Sequence, residues 1–129
     1  MSSIFSKIIA GEIPCHKVAE NDEFIAFLDI NPKTDGHTLV IPKQEIDYLF
    51  DIDDEVLGRM MVFAKTVAHA IEKAIPCTRI GVAVIGLEVP HAHIHLIPIS
   101  KESDLFADKS KKTPEELAQT AALIRERLM

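Results

Sequence analysis

The chain has 129 residues, 47% of them hydrophobic, and a formal net charge of −6 at neutral pH. That length suits a single domain spanning 1–129, with an apolar share that builds a core without disulfides or metal. The acidic balance excludes a general nucleic-acid binder, which needs a basic face, and no run of 18 apolar residues offers a membrane span.

The first residues, Met1-Ser2-Ser3-Ile4-Phe5-Ser6-Lys7, lack the long apolar stretch of a secretory signal, so a cytoplasmic protein is expected. In a reducing compartment Cys15 and Cys77 are expected to stay free. Ile4 to Ala10 reads as a short helical turn, stopped by Gly11 and followed by Pro14. Val18 to Glu20 and Phe24 to Leu28 read as a hairpin around the turn signal Asn21-Asp22. Asp29-Ile30-Asn31-Pro32 ends that strand, Lys33-Thr34-Asp35-Gly36 is a loop, and His37 to Ile41 is a third strand closed by Pro42. The acidic stretch 51–55 suits a helix N-terminus, with Asp51 or Asp53 as cap. Residues 53–75 form the long helix, because Leu57, Met60, Met61, Ala64, Val67, Ala68, Ile71 and Ile75 recur at three and four.

Arg79 to Ile85 is a fourth strand, and Gly86 turns the chain into a fifth. Residues 101–112 are polar and loop-like. Thr113-Pro114-Glu115-Glu116 is a capping box with Pro at the first helical position. It opens a C-terminal helix over about 113–128 with the stripe Leu117, Ala121, Ile124 and Leu128, an extension of the domain. Short turns between strands favour antiparallel pairing. The expected fold is α+β: a five-stranded antiparallel sheet with a long helix and a C-terminal helix.

The fifth strand carries the chemistry. Three of the six histidines, His91, His93 and His95, alternate with Ala92, Ile94 and Leu96 between Pro90 and Pro98. A period of two puts all three imidazoles on one face, ~6.6–6.8 Å apart along the strand. Buried rings need partners for both nitrogens, which makes three of them expensive as core filler. Two chemistries use such a face. One is a zinc site, but three ligands spanning about 13 Å cannot all reach one ion with bonds of ~2.0–2.1 Å. The other is nucleophilic attack on phosphorus by one imidazole, with its neighbours orienting it and binding charged oxygens.

The run from His91 to Pro98 resembles the histidine triad (HIT) motif, in which three histidines alternate with apolar residues. The resemblance extends over about residues 3–100. Ile4 to Pro14 resembles that family's N-terminal signature, Ala26 to Pro32 its nucleotide-pocket strand, and Gly36-His37-Thr38-Leu39-Val40-Ile41-Pro42-Lys43 its Gly-His segment. The branch it is most similar to is the Hint-like bacterial one. The resemblance implies a hydrolase or transferase acting at the α-phosphate of a purine nucleotide conjugate, of phosphoramidate or dinucleoside polyphosphate type. It implies His93 as the nucleophile that forms a nucleotidyl-histidine. His95 would contact the phosphate and help the leaving group, and His91 and His37 would orient the site. Asp29 would bind the ribose hydroxyls. Phe5, Ile8, Ile13, Phe27, Leu28 and Ile30 would form the apolar slot for the base. Read by itself, Asp29 before Asn31-Pro32 is a turn residue.

Departures from the family pattern are local. The segment Val82 to Pro90 is shorter than usual, with Leu87 where the family has Gln, so Gly86 and the backbone near Glu88 are left to meet the phosphate. Ser3, Ser6 and Glu45 stand where many bacterial relatives carry Cys, Cys and His as ligands of a structural zinc. No metal and no cofactor are expected. The expected partners are a purine nucleotide or its conjugate and, by resemblance, a second copy in a homodimer, with no nucleic acid and no membrane. Two alternatives stay open: a nucleotide-binding regulatory module with weak catalysis, and a zinc-dependent hydrolase using His91 and His93 with His37.

Overall fold

Asn21 makes the first turn. Its Oδ1 accepts from the N–H groups of Glu23 and Phe24 at 2.9 and 2.8 Å. The chain thereby reverses from β1 (Lys17–Glu20) into β2 (Phe24–Leu28) in the computed structural model, which describes residues 3–128. β3 (Thr38–Pro42) returns along β2 with Phe24 opposite Pro42 and Leu28 opposite Thr38. β4 (Arg79–Ala83) and β5 (Ile94–Ile99) complete a five-stranded antiparallel sheet of order β1-β2-β3-β5-β4. The fold is the expected α+β one. β5 lies between β3 and β4, and β4 is an edge.

Three helices follow their signals. α1 (Ile4–Ile9) is capped by Ser3, whose Oγ accepts from Ser6 N–H at 3.0 Å, and Gly11 leaves it with φ +81°. α2 (Asp54–Ala74) is capped by Asp53, not Asp51. α3 (Pro114–Glu126) opens on the capping box, with Thr113 and Glu116 each accepting the other's N–H at 3.1 and 3.0 Å. None of the helices among the described residues is long and apolar enough to cross a membrane.

The buried stripes of α2 (Met60, Ala64, Val67, Ala70, Ile71) and α3 (Leu117, Ala121, Ile124) share one core with Val18, Phe24, Ala26, Leu28, Val40, Ala92, Ile94 and Leu96. That core covers one face of the sheet. On the other face a smaller cluster joins Phe5, Ile25, Phe27, Leu39 and Ile41, with Ile8 and Val89 against it. β2 thus alternates faces residue by residue, as strand geometry requires.

Several boundaries differ from expectation, each for a local reason. β3 starts at Thr38 because the His37 N–H is spent in a turn, donated to Thr34 O at 3.1 Å. β4 stops at Ala83, and Val84 and Ile85 are exposed. Met61, expected in the helix stripe, is exposed. The 101–112 segment contains a 3-10 turn over Glu102–Phe106, where Asp104 Oδ2 accepts from the N–H groups of Ser100 and Lys101. β5 begins only at Ile94, so of the triad His95 alone lies on a paired strand.

Candidate active site on the open face of the sheet

The late start of β5 follows from His91. A ladder continuing upstream would pair with Pro42, which has no N–H to give. Instead the His91 ring takes the Pro42 carbonyl, with Nε2 at 2.7 Å. The His91 and Ala92 N–H groups go to Val89 O and Ile46 O. The alternation nevertheless survives: Ala92, Ile94 and Leu96 enter the helix-side core, and the rings lie on the other face.

The hydrogen bonds fix the tautomers. A carbonyl only accepts, so His91 Nε2 carries the proton and its Nδ1 accepts from the Ser3 hydroxyl at 2.8 Å. Burial lowers the His91 pKa, against the opposing pull of the Pro42 carbonyl and Glu45. His93 Nδ1 donates to the His91 carbonyl at 2.7 Å, which puts the donor on Nδ1 and turns Nε2 to the site as the nucleophilic nitrogen. Phe5 packs edge-on against both rings, with centroids 5.8 Å from His91 and 5.0 Å from His93.

A second chain sets the other pair. Lys33 N–H donates to His37 Nδ1 at 3.1 Å, so His37 Nε2 carries a proton and donates it to His95 Nδ1 at 2.9 Å. His95 therefore presents Nε2–H. Burial pushes both rings down to about 4, so they are neutral at pH 7. Asp29 stands beside them, Oδ2 3.8 Å from His37 Nε2, while Oδ1 accepts from Asn31 N–H at 2.9 Å. The carboxylate caps its turn with one oxygen and keeps the other for the site.

The remaining expected site residues divide. Phe5, Phe27 and Ile8 share the small cluster on the histidine face. Leu28 does not: it belongs to the helix-side core, because neighbours on a strand face opposite ways. Ile30 is exposed and Ile13 half-buried. Gly86 has φ +74° and open space where a Cβ would sit, so its backbone is approachable. Glu88 is exposed, its Oε2 3.7 Å from Lys109 Nζ. Sequence reasoning missed Ile25, Leu39 and Ile41 in the same cluster, which the period of two along β2 and β3 would have found.

Metal fits one grouping better than another. Ser3, Ser6, Glu45 and His91 do come together. Glu45 Oε1 accepts from Ser3 N–H and from Ser6 Oγ, both at 2.6 Å, and is held down to about 2 by them. Two hydroxyls already engaged in hydrogen bonds make a poor zinc set, and this cluster does not fit the ion. His91 cannot ligate with His93 and His37 either, since both its nitrogens are engaged. The grouping within reach of one ion among the described residues is Asp29, His37 and His95, whose donor atoms lie within 4.8 Å of one another.

The chain has relatives among known proteins. The profile of the HIT domain matches residues 10–102. Protein hit of Bacillus subtilis is 38% identical, the match covering 97% of this chain and 93% of that one. An adenosine 5′-monophosphoramidase of Schizosaccharomyces pombe is 38% identical over 79% of this chain and 77% of its own. A solved HIT-like protein from Bartonella henselae superposes with a TM-score of 0.87 at 35% identity, covering 98% of this chain and 96% of that one. The chain belongs to the histidine triad family.

Proposed function

We propose that the protein is a nucleotide hydrolase that cleaves purine nucleotide conjugates at the α-phosphate through a covalent nucleotidyl-His93. The observation that carries this reading is the polarity of His93. Its Nδ1–H is spent on the His91 carbonyl, so Nε2 turns to the site as the nucleophilic nitrogen. Attack by Nε2 forms the nitrogen–phosphorus bond and breaks the bond to the leaving group, which takes the bonding pair. The ring then carries positive charge, and the carbonyl on Nδ1–H stabilises it. The His95 Nε2–H, fixed by the Lys33–His37–His95 chain, donates to a phosphate oxygen or the leaving atom. Water then cleaves the nitrogen–phosphorus bond and frees the nucleoside monophosphate. Asp29 accepts from the ribose hydroxyls, and Phe5, Phe27 and Ile8 border the base. The monophosphoramidase relative supports this reaction class.

We extend the reading to a cytoplasmic homodimer, supported by the edge position of β4 and by the exposed Val82, Met61 and Val62. Steady-state turnover of adenosine 5′-phosphoramidate tests the function, beside His93→Ala and a chelator. The expected result is turnover that the chelator spares and the substitution removes. Binding of AMP without turnover would instead make the protein a nucleotide-binding module.

A further inference from the structure

The first two triad histidines stand outside the ladder, since β5 begins at Ile94. Strand pairing therefore does not aim the His91 carbonyl, the acceptor that takes Nδ1–H of His93. Residues 42–46 hold that segment instead. The Pro42 carbonyl accepts from His91 Nε2 at 2.7 Å, and the Ile46 carbonyl accepts from Ala92 N–H at 2.7 Å. Between them Glu45 grips from further off. Its Oε1 accepts from Ser3 N–H and from the Ser6 hydroxyl, both at 2.6 Å. Ser3 in turn donates its hydroxyl to His91 Nδ1 at 2.8 Å and accepts from Ser6 N–H at 3.0 Å. Both nitrogens of the His91 ring are thus tied to the 42–46 segment, one directly and the other through Ser3.

We propose that Glu45 is a positioning residue for the nucleophile: its carboxylate holds Ser3, and through Ser3 and the His91 ring it aims the carbonyl that orients His93. This deepens the covalent-His93 reading above and rests on it. Two donors converge on one carboxylate oxygen, and charge-assisted bonds of this kind are short and directional. They fix where Ser3 sits, and so where its hydroxyl meets the ring. Glu45 is exposed. Once it is removed, water takes over as acceptor, but water does not hold Ser3 in one place. The loss therefore falls on geometry more than on stability. Geometry is what a nucleophile feels most, since a misplacement of ~1 Å near a reacting centre costs up to ~100-fold in rate.

The test reads kcat for adenosine 5′-phosphoramidate beside the NMR signal of the His93 Nδ1–H proton, which needs no substrate. Glu45→Ala is expected to lower kcat about fivefold and to broaden that signal through faster exchange with water. Glu45→Gln keeps a carbonyl acceptor at the same reach and is expected to restore both. Because Glu45 acts through Ser3, the double variant Ser3→Ala/Glu45→Ala is expected to lose no more kcat than Ser3→Ala alone. Asp53→Ala is the control for a merely structural loss. It removes the cap of α2 and is expected to lower the thermal midpoint while kcat and the His93 signal hold. A Glu45→Ala kcat within twofold of the intact protein overturns the proposal. So do single losses that multiply in the double variant, and so does a Glu45→Gln variant that behaves like Glu45→Ala. If the intact protein turns over no phosphoramidate, the covalent reading fails separately, and the positioning is read from the NMR signal. With or without turnover, a sharp, unchanged His93 signal in Glu45→Ala overturns it.

Discussion

Along β2, Phe24, Ala26 and Leu28 enter the core under the two long helices, while Ile25 and Phe27 face the histidines. One strand serves two regions of opposite character. The helix side is a broad, dry core of aliphatic stripes. The other side is a small apolar cluster bordering a row of rings in which each buried nitrogen has an assigned partner. Burial on the first side yields stability in proportion to area. On the second, it yields defined tautomers, because a buried imidazole with one carbonyl and one donor neighbour has a single satisfied form.

The comparison breaks most sharply at His93. His93→Ala is expected to lower turnover of a nucleotide conjugate at least ~10³-fold, read as kcat, while the thermal midpoint moves little. Ile71→Ala on the helix side does the reverse. Ile71 is fully buried, and its truncation is expected to cost about 2–5 kcal/mol in urea unfolding while kcat of the folded enzyme holds.

Ser3→Ala falls between the two. It leaves the buried His91 Nδ1 without its donor, a loss of about 1–3 kcal/mol. It also loosens the loop whose carbonyl polarises His93. Both a lower midpoint and a roughly tenfold lower kcat are expected, and loss of one without the other would separate the regions more than the structure does. The smallest effect is the pH response. His37 and His95 sit at about 4 in the folded protein, against ~6.5 in an unfolded chain. Between those values the unfolded chain binds protons that the folded site refuses. Stability is therefore full above pH ~6.5 and falls as the pH drops toward ~4. A lower midpoint at pH 5 than at pH 7 is expected by calorimetry, and His37→Asn is expected to shrink the difference.

How much of this was legible in the sequence follows the same division. Periods of two and 3.6, caps and turn residues are local, and they placed the five strands and three α-helices to within a few residues, but not the 3-10 turns at Leu49–Asp51 and Glu102–Phe106. The triad alternation showed which side of the chain carries rings. What stayed hidden depends on contacts distant in sequence. The Pro42 carbonyl that captures His91, and so delays β5 to Ile94, lies 49 residues away. Ser3 and Glu45 read only as departures from a zinc pattern, because nothing local says that a backbone N–H and a carboxylate 42 residues apart will meet. The polar segment 101–112 showed nothing of its anchorage through Ser110 to Pro32, which spans 78 residues. Leu28 is the one misplacement that local reasoning could have prevented, since it adjoins Phe27 on a strand.

The central claim is that His93 Nε2 becomes covalently nucleotidylated during turnover. The most direct measurement is intact-protein mass spectrometry of enzyme rapidly quenched during turnover of adenosine 5′-phosphoramidate, with the adduct mapped to its residue. The expected result is a transient mass increase of one adenylyl group on His93, absent in His93→Ala. Turnover with no adduct at any quench time, or an adduct that persists in His93→Ala, would contradict it.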